Sequence, residues 1–457
     1  MSSQLCPSIP TLSAPPVLSE RGQRALVRPP LLCCSLFECQ YSTVNTTGLI
    51  NLGVAENSLC TEWLADFFQR NLSLDYADFT YGTALTGSHR LFAALRHLFS
   101  THFAAHRPVE PSHLLCGGGC SAILDSLAAV LADPGDVVLL ALPAYPGFAA
   151  SFGCRSGVEV VGVPLAPGAE ASPSALDAFE RAHAECTARG RRVRAVVVCN
   201  PHNPLGFCYP RDTLVAALST YATVDLPCAT PFTSLLALDP LAEAGCSPSR
   251  IHVVYGASKD FGCNGLRLGV LVSQSNPDVH VAIESSALLI KVSSAADALF
   301  SSLLLSPSLS TFLTLNQQRL SAAHARATAF LRAHNVPYRP ASAGHFIWVD
   351  LRAWAAREDG RSDGEREDRL ARRLWSEGVN LGRGTAYGGP PGFFRLTFTV
   401  RADYFEAGLA RLARALGSSL ACPARPHELR EVTLVAAGAE GDEARAEGGE
   451  VSLVSVA

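Results

Sequence analysis

The sequence predicts an α/β protein with a mostly parallel sheet in a large domain and a second, smaller α+β domain. Three observations carry this expectation. Through the middle of the chain, short β-branched runs alternate with Ala/Leu-rich runs of helical spacing. The helical runs are about 10–15 residues long, which is the length that crosses over between parallel strands. From about residue 300 the pattern changes, and long helical stretches flank isolated short strands.

Taken in order, residues 1–45 are rich in Ser and Pro without a period and read as a disordered leader. Residues 121–132 read as a helix, closed by Asp133-Pro134-Gly135-Asp136. Val137–Leu142 and residues 158–164 read as strands, 175–189 as a helix ended by Gly190, 193–200 as a strand, 211–221 as a helix and 251–257 as a strand. Farther on, helices over 306–335 and 364–378 flank strands over 345–349 and 394–400. Residues 421–457 form a second tail, in which seven acids stand against three arginines between Arg425 and Glu450. That excess equals the whole formal net charge of −4, so the tail is expected to be acidic and disordered, with 451–456 too short to count as an element.

The chain has 457 residues, 48% hydrophobic and 17% charged, enough apolar material for one large two-lobed unit and too much for wholesale disorder. No basic excess points to nucleic acid. No apolar run reaches the roughly 18 residues of a membrane span. The first 16 residues lack the basic and apolar regions of a signal peptide. The 15 cysteines are odd in number, scattered and free of any Cys-x-x-Cys pair, so free thiols in a reducing cytoplasm fit better than disulfides. Cys33, Cys34 and Cys39 are the densest group, and no neighbouring ligands complete a metal site.

Among 37 basic residues only Lys259 and Lys291 are lysines. A composition so biased toward Arg draws attention to positions where an amine survives, because an ammonium can be deprotonated to a nucleophile and a guanidinium cannot. Lys259 follows the strand at 251–257, at its carboxyl end, where ligands sit in parallel sheets. Three other strand ends are also polar. Cys116-Gly117-Gly118-Gly119-Cys120-Ser121 leads into a helix whose first amides and Ser121 hydroxyl suit a phosphate, though a plain tight turn reads the same way. Tyr145, between Pro143 and Pro146, is either a platform for a flat ring or a core aromatic. Asn203, in Asn200-Pro-His-Asn-Pro-Leu-Gly206, projects as a donor. Arg267, eight residues past Lys259, can return to the same edge and bind phosphate. Phosphate binder, ring stacker, donor and amine on one edge fit pyridoxal phosphate held as a Schiff base. Lys291 has no such context.

This set resembles the fold-type I pyridoxal-phosphate enzymes of the class I/II aminotransferase family. Within them it is most similar to the 1-aminocyclopropane-1-carboxylate synthases, especially the animal synthase-like branch. The matching segments are Asn51-Leu-Gly-Val-Ala-Glu-Asn57, Ala132-Asp-Pro-Gly-Asp136, Asn200-Pro-His-Asn-Pro-Leu-Gly206, Ser258-Lys-Asp260 with Gly265-Leu-Arg-Leu-Gly269, Ala343-Gly-His-Phe-Ile-Trp-Val-Asp350 and Phe393-Phe-Arg-Leu-Thr-Phe398. The resemblance implies one family domain over 46–420, with a large lobe over about 80–300 and a small lobe from about 46–79 plus 301–420. It implies an α-amino acid substrate and a homodimer, with transamination or synthase-like elimination as the reaction. Lys259 would carry the cofactor and move the substrate α-proton. Ser121, the Cys120 amide, Ser258 and Arg267 would hold the phosphate. Tyr145 would stack on the ring and Asn203 would bond its phenolate oxygen. Arg395 would pair with the substrate carboxylate, with Glu56 near the substrate.

The same resemblance exposes departures. The family's strand between the Asn-Pro-Leu-Gly turn and the Ser-Lys strand ends in Asp-Glu-x-Tyr, whose Asp pairs with the pyridine nitrogen and whose Tyr helps hold the phenolate. Here Asn203 and Lys259 are 56 residues apart, too few for that strand and its helix. The residues left, 221–231, hold no Asp-Glu-x-Tyr, and Pro227 and Pro231 oppose a central strand. Asp225 is the acid that could stand in. The loss of the strand threatens the sheet and points to an alternative function, a cofactor-binding but catalytically impaired protein. Gly256 stands where the plant enzymes have Ser. Leu85 stands at the position of their partner-subunit Tyr, with Tyr81 nearby.

Overall fold

A computed structural model describes residues 18–19, 22–23, 40–42, 44–166, 168–219, 232–417 and 451–456. Asp225 and the rest of 220–231 lie outside the described residues, as do most of the leader and residues 418–450.

The large lobe is built on strands β2 (Leu114–Gly117), β3 (Val137–Leu142), β4 (Glu159–Pro164), β5 (Val193–Cys199), β6 (Ile251–Gly256), β7 (Gly269–Val272) and β12 (Ser452–Val456). Their order in the sheet is β2-β7-β6-β12-β5-β3-β4. Every pairing is parallel except those of β7, which runs antiparallel to both β2 and β6. The inner strands read Val-Val-Leu-Leu-Ala-Leu, Val-Arg-Ala-Val-Val-Val-Cys and Ile-His-Val-Val-Tyr-Gly. Such nearly continuous apolar runs are what a sheet covered on both faces requires.

Helices cover both faces. On one lie α3 (Cys120–Leu131), α4 (Gly147–Gly153) and α7 (Pro277–Glu284), which enclose Val138, Val197, Val254 and Leu271. On the other lie α1 (Thr61–Asn71), α2 (His89–His102) and α8 (Ser294–Leu304), which bury Phe99, Val253, Val270 and Phe300. On that same side α5 (Leu176–Ala188) packs over Val137, Leu139 and Val193. The helix after β5, α6 (Arg211–Ser219), follows the Asn-Pro turn. α9 (Leu309–Ala333) has 25 residues and a length of about 37 Å. It starts in the large-lobe core at Leu309 and Phe312 and ends in the small-lobe core at Ala327, Phe330 and Leu331.

The small lobe is an antiparallel sheet of order β10-β11-β8, formed by β8 (Phe346–Asp350), β10 (Gly382–Arg383) and β11 (Phe393–Thr397). It is packed under α10 (Asp363–Ser376) and α11 (Ala402–Leu416). The first strand, β1 (Ile50–Asn51), pairs in parallel with β9 (Val379–Asn380) and buries Ile50 and Leu52 in this core. The next helix behaves differently: Leu64 and Phe67 of α1 join the large-lobe core, so the small-lobe share of 46–79 is confined to its first part.

The main correction concerns the tail. Its end is not disordered, and 451–456 is long enough to matter. Ser452–Val456 pairs in parallel with β5 on one side, Ser452 to Ala195 through Val456 to Cys199. On the other side it pairs with β6, Leu453 to Ile251 through Val456 to Val254. Val454 is fully buried against the α3 face and Ser455 is buried too. The strand fills the gap predicted from the short interval between Asn203 and Lys259, so the sheet is continuous. Two uncharged backbone edges demanded hydrogen-bond partners, and a short apolar segment with β-branched residues supplied them. No single described helix is long and apolar enough to cross a membrane. The described cysteines are free thiols, most of them buried.

Candidate active site

The carboxyl ends of β5, β12 and β6 open toward the small lobe, and most of the residues singled out above meet there. Lys259 follows β6 by three residues, and its ammonium donates to the carbonyl of Ala55. Solvent reaches the side chain through the cleft, yet protein packs closely around it. That burial, with the nearby charge of Arg395, pulls its pKa down to about 8, against the weaker opposing pull of Glu56. An amine with this pKa is partly neutral near pH 7.

The Lys259 loop is held from behind. Asn57 donates to the Lys259 carbonyl at 3.2 Å and to Asn316 Oδ1 at 3.1 Å. Asn316 in turn donates to the Asp260 carbonyl at 2.9 Å. Gly262 sits at φ +62° with the Asn57 carbonyl oxygen pressed against the place where a Cβ would be, so only glycine allows this approach. Asn57 and Asn316 were not among the predicted site residues. Asn57 lies within the quoted Ala55-Glu56-Asn57 segment, whereas nothing in the sequence marked Asn316.

Opposite Lys259 stands the N-terminus of α3. Gly119 caps it with φ +91° and no side-chain bond to the first amides. A Cβ there would collide with a terminal nitrogen of Arg267, which itself adopts φ +50°. The Arg267 guanidinium donates to the carbonyls of Asn264 at 3.1 Å and Gly118 at 3.4 Å. Ser121 is exposed on the first turn, Cys120 is half-buried behind it and Ser258 is half-buried beside Lys259. Burial raises the Cys120 thiol to about 11. The Gly256 departure acquires a spatial reason, because a Cβ on Gly256 would meet Cys120 Sγ at 2.7 Å. The Cys120 thiol occupies the room that a serine side chain at this position would need.

Tyr145 is 36% exposed. Its ring meets Phe148 edge-on, with centroids 5.5 Å apart, and lies over Gly147, where a Cβ would strike it. Asn203 connects the two lobes, its Oδ1 accepting from Arg395 at 2.8 Å. The other Arg395 terminal nitrogen donates to the Gly53 carbonyl at 2.6 Å. The guanidinium lies between the rings of Phe346 and Tyr387, 4.7 and 4.9 Å from their centroids. Arg395 is only 2% exposed, and its Nε and the Tyr387 hydroxyl are buried without hydrogen-bond partners. No carboxylate pairs with it among the described residues. Neighbouring His345 is kept neutral, its pKa pushed down to about 4 by burial and by the charges of Lys259 and Arg395.

Glu56 lies at the rim, where its Oε1 accepts from Asn264 at 3.0 Å. The predicted Arg395 position thus converges with Lys259, while Phe346, Tyr387 and His345 around it went unpredicted. Tyr81 and Leu85 are exposed on the surface, beside exposed Tyr76 and Phe79. Lys291 lies elsewhere, donating to the Ala84 carbonyl at 3.1 Å.

A family profile, aminotransferase class I and II, matches residues 48–412. A probable aminotransferase of Aspergillus fumigatus is 33% identical over 80% of this chain and 89% of its own. The human protein called probable inactive 1-aminocyclopropane-1-carboxylate synthase-like protein 2 is 28% identical, covering 81% of this chain and 68% of its own. Among solved structures, a Thermus thermophilus aspartate aminotransferase variant complexed with tryptophan superposes with a TM-score of 0.64. It covers 87% of this chain and 99% of its own at 20% identity, a likeness of fold.

Proposed function

This chain belongs to the class I and II aminotransferase family, and we propose that it holds pyridoxal phosphate on Lys259 and binds the carboxylate of an α-amino acid at Arg395. The observation that carries this reading is Arg395 itself. A guanidinium buried between two rings with no counter-ion is costly unless an anion completes it. Its neighbour is an amine whose pKa is held near the working range. The cradle at Gly119, the open N-terminus of α3 and Arg267 fit the phosphate, with Ser121, Ser258 and the Cys120 amide as further donors. Tyr145 fits a flat ring, and Asn203 fits its phenolate oxygen.

When bound, pyridoxal phosphate supplies the electron sink that acidifies the substrate α-carbon. The chain's own residues do the rest. Arg395 fixes the carboxylate by two parallel hydrogen bonds and so orients the α-C–H. Neutral Lys259 takes that proton and returns it, and the Asn57–Asn316 pair keeps its loop in position. Neutral His345 adds no competing charge. The reaction class is transamination or elimination at the β or γ carbon, in a homodimer whose exposed Tyr76, Phe79 and Tyr81 face the second copy. The free thiols fit a reducing, cytoplasmic setting.

A second observation limits the rate. β12 stands where the family carries its acidic strand, and it reads Ser-Leu-Val-Ser-Val without a carboxylate. Turnover is therefore proposed to be weak, in keeping with the word "inactive" in the human relative's name. The test is to load the chain with pyridoxal phosphate, reduce it with borohydride and map the labelled peptide. Label on Lys259, absent in Lys259→Ala, is expected. Its rate of attachment should rise about tenfold per pH unit below about 8 and level off above, as burial disfavours the protonated amine. Label distributed over other positions would reject the reading. Exchange of the substrate α-proton with solvent then measures how weak turnover is.

A further inference from the structure

The strand that completes the sheet has a near-duplicate in the same tail. Glu450-Val-Ser-Leu-Val-Ser-Val456 contains β12, and Glu431-Val-Thr-Leu-Val-Ala-Ala437 repeats its pattern of Glu, Val, a small hydroxyl residue, Leu and Val. We propose that the gap between β5 and β6 is a strand-binding slot that reads this pattern, and that 432–437 is a second occupant built into the chain.

The slot has definite requirements. It is paired in parallel on both sides, so the occupant donates and accepts along its whole length. Around Val454 and Ser455 it is buried, so charge is excluded there and β-branched or small residues are favoured. Val454, fully buried, packs with Val197 and Val254, and Val451 packs on the opposite side with Val137 and Val193. In the repeat, Val435 takes the place of Val454 and Val432 that of Val451. The repeat has Ala436 and Ala437 where β12 has Ser455 and Val456. Alanine is a weaker strand former than valine, which favours 450–456 over 432–437 as the seated segment. The repeat can also reach. The 14 residues of 418–431 span about 50 Å when extended, against a radius of about 20 Å for a domain of this size. Nothing else in the sheet depends on which copy is seated, because the segment that fills the slot lies far from β5 and β6 in sequence.

Hydrogen exchange of the full chain tests this without any cofactor. In the native chain, amides of 452–456 should exchange slowly, and those of 432–436 at least about tenfold faster. In Val454→Asp, a charge in the slot expels the seated copy. Amides of 432–436 should then slow by about tenfold or more, while β5 and β6 stay protected. In Val435→Asp/Val454→Asp both copies should exchange fast and β5 and β6 should lose protection. Fast exchange of 452–456 in the native chain overturns the proposal. So does a Val454→Asp chain that unfolds or leaves 432–436 unprotected, because the second copy should have replaced the first. A double variant whose β5 and β6 keep native protection overturns it as well.

Discussion

The cleft has two unlike sides. Along β6, β7 and β11 it is furnished with Lys259, Arg267 and Arg395, each held by backbone or side-chain bonds. Along β12 the strand reads Ser-Leu-Val-Ser-Val, without an ionisable residue. Both sides are structurally complete, and among the described residues only the first carries ionisable side chains. Ladder hydrogen bonds are made by the backbone, so any segment that tolerates burial can close a parallel sheet. A carboxylate at one strand end is a property of one residue, and it does not come with the ladder. The difference teaches that a continuous sheet carries no guarantee about the side chains at its strand ends.

Arg395→Lys strikes the furnished side. It keeps a charge but loses the two-pronged geometry and the stacking between Phe346 and Tyr387. Affinity of the cofactor-loaded protein for amino acids should fall about a hundredfold, near the worth of two charge-assisted hydrogen bonds. Titration followed by the cofactor's visible spectrum reads this. An unchanged affinity would remove Arg395 from the site.

Val456→Asp tests the bare side. Val456 shares a register row with Cys199 and Val254 at the carboxyl end of β12. If a missing carboxylate is what separates the two sides, the variant should exchange substrate α-protons about tenfold faster than the native chain, a modest electrostatic gain. A slower or equal rate, in a protein that still binds the cofactor, would mean that the weakness lies elsewhere.

Gly256→Ser is the smallest probe, at the border of the two sides. Its new side chain meets the Cys120 thiol. Stability should fall by about 1 kcal/mol, the low end of overpacking. About half of the loss should return when Cys120→Ala is added, the rest staying because a Cβ there also meets the Leu268 carbonyl oxygen at 2.9 Å. Urea midpoints of the single and double variants decide this. A loss that the second change does not relieve would break the link between the two positions.

The chemistry was legible because each group sits in a short local motif at the end of a recognisable strand. Lys259 follows 251–256 by three residues, Asn203 follows 193–199 through its Asn-Pro turn, and Arg395 lies in a five-residue strand. The short strands β2 and β7 were not legible, because four residues are too few to show a period. Nor were Asn316, Phe346 and Tyr387, which act only through neighbours distant in sequence.

By itself, then, the sequence determined the parallel sheet, the two lobes and the polar strand ends, since these follow from periodicity and local spacing. Its resemblance to the class I/II aminotransferases implied as well that the family's strand is missing between Asn203 and Lys259. What filled that place was decided only by the tertiary structure. A run of Val and Ser after an acidic tail has no local signal that separates a loose end from a buried strand. Its fate depends on two open backbone edges, at 193–199 and 251–256, brought one strand-width apart on either side of it.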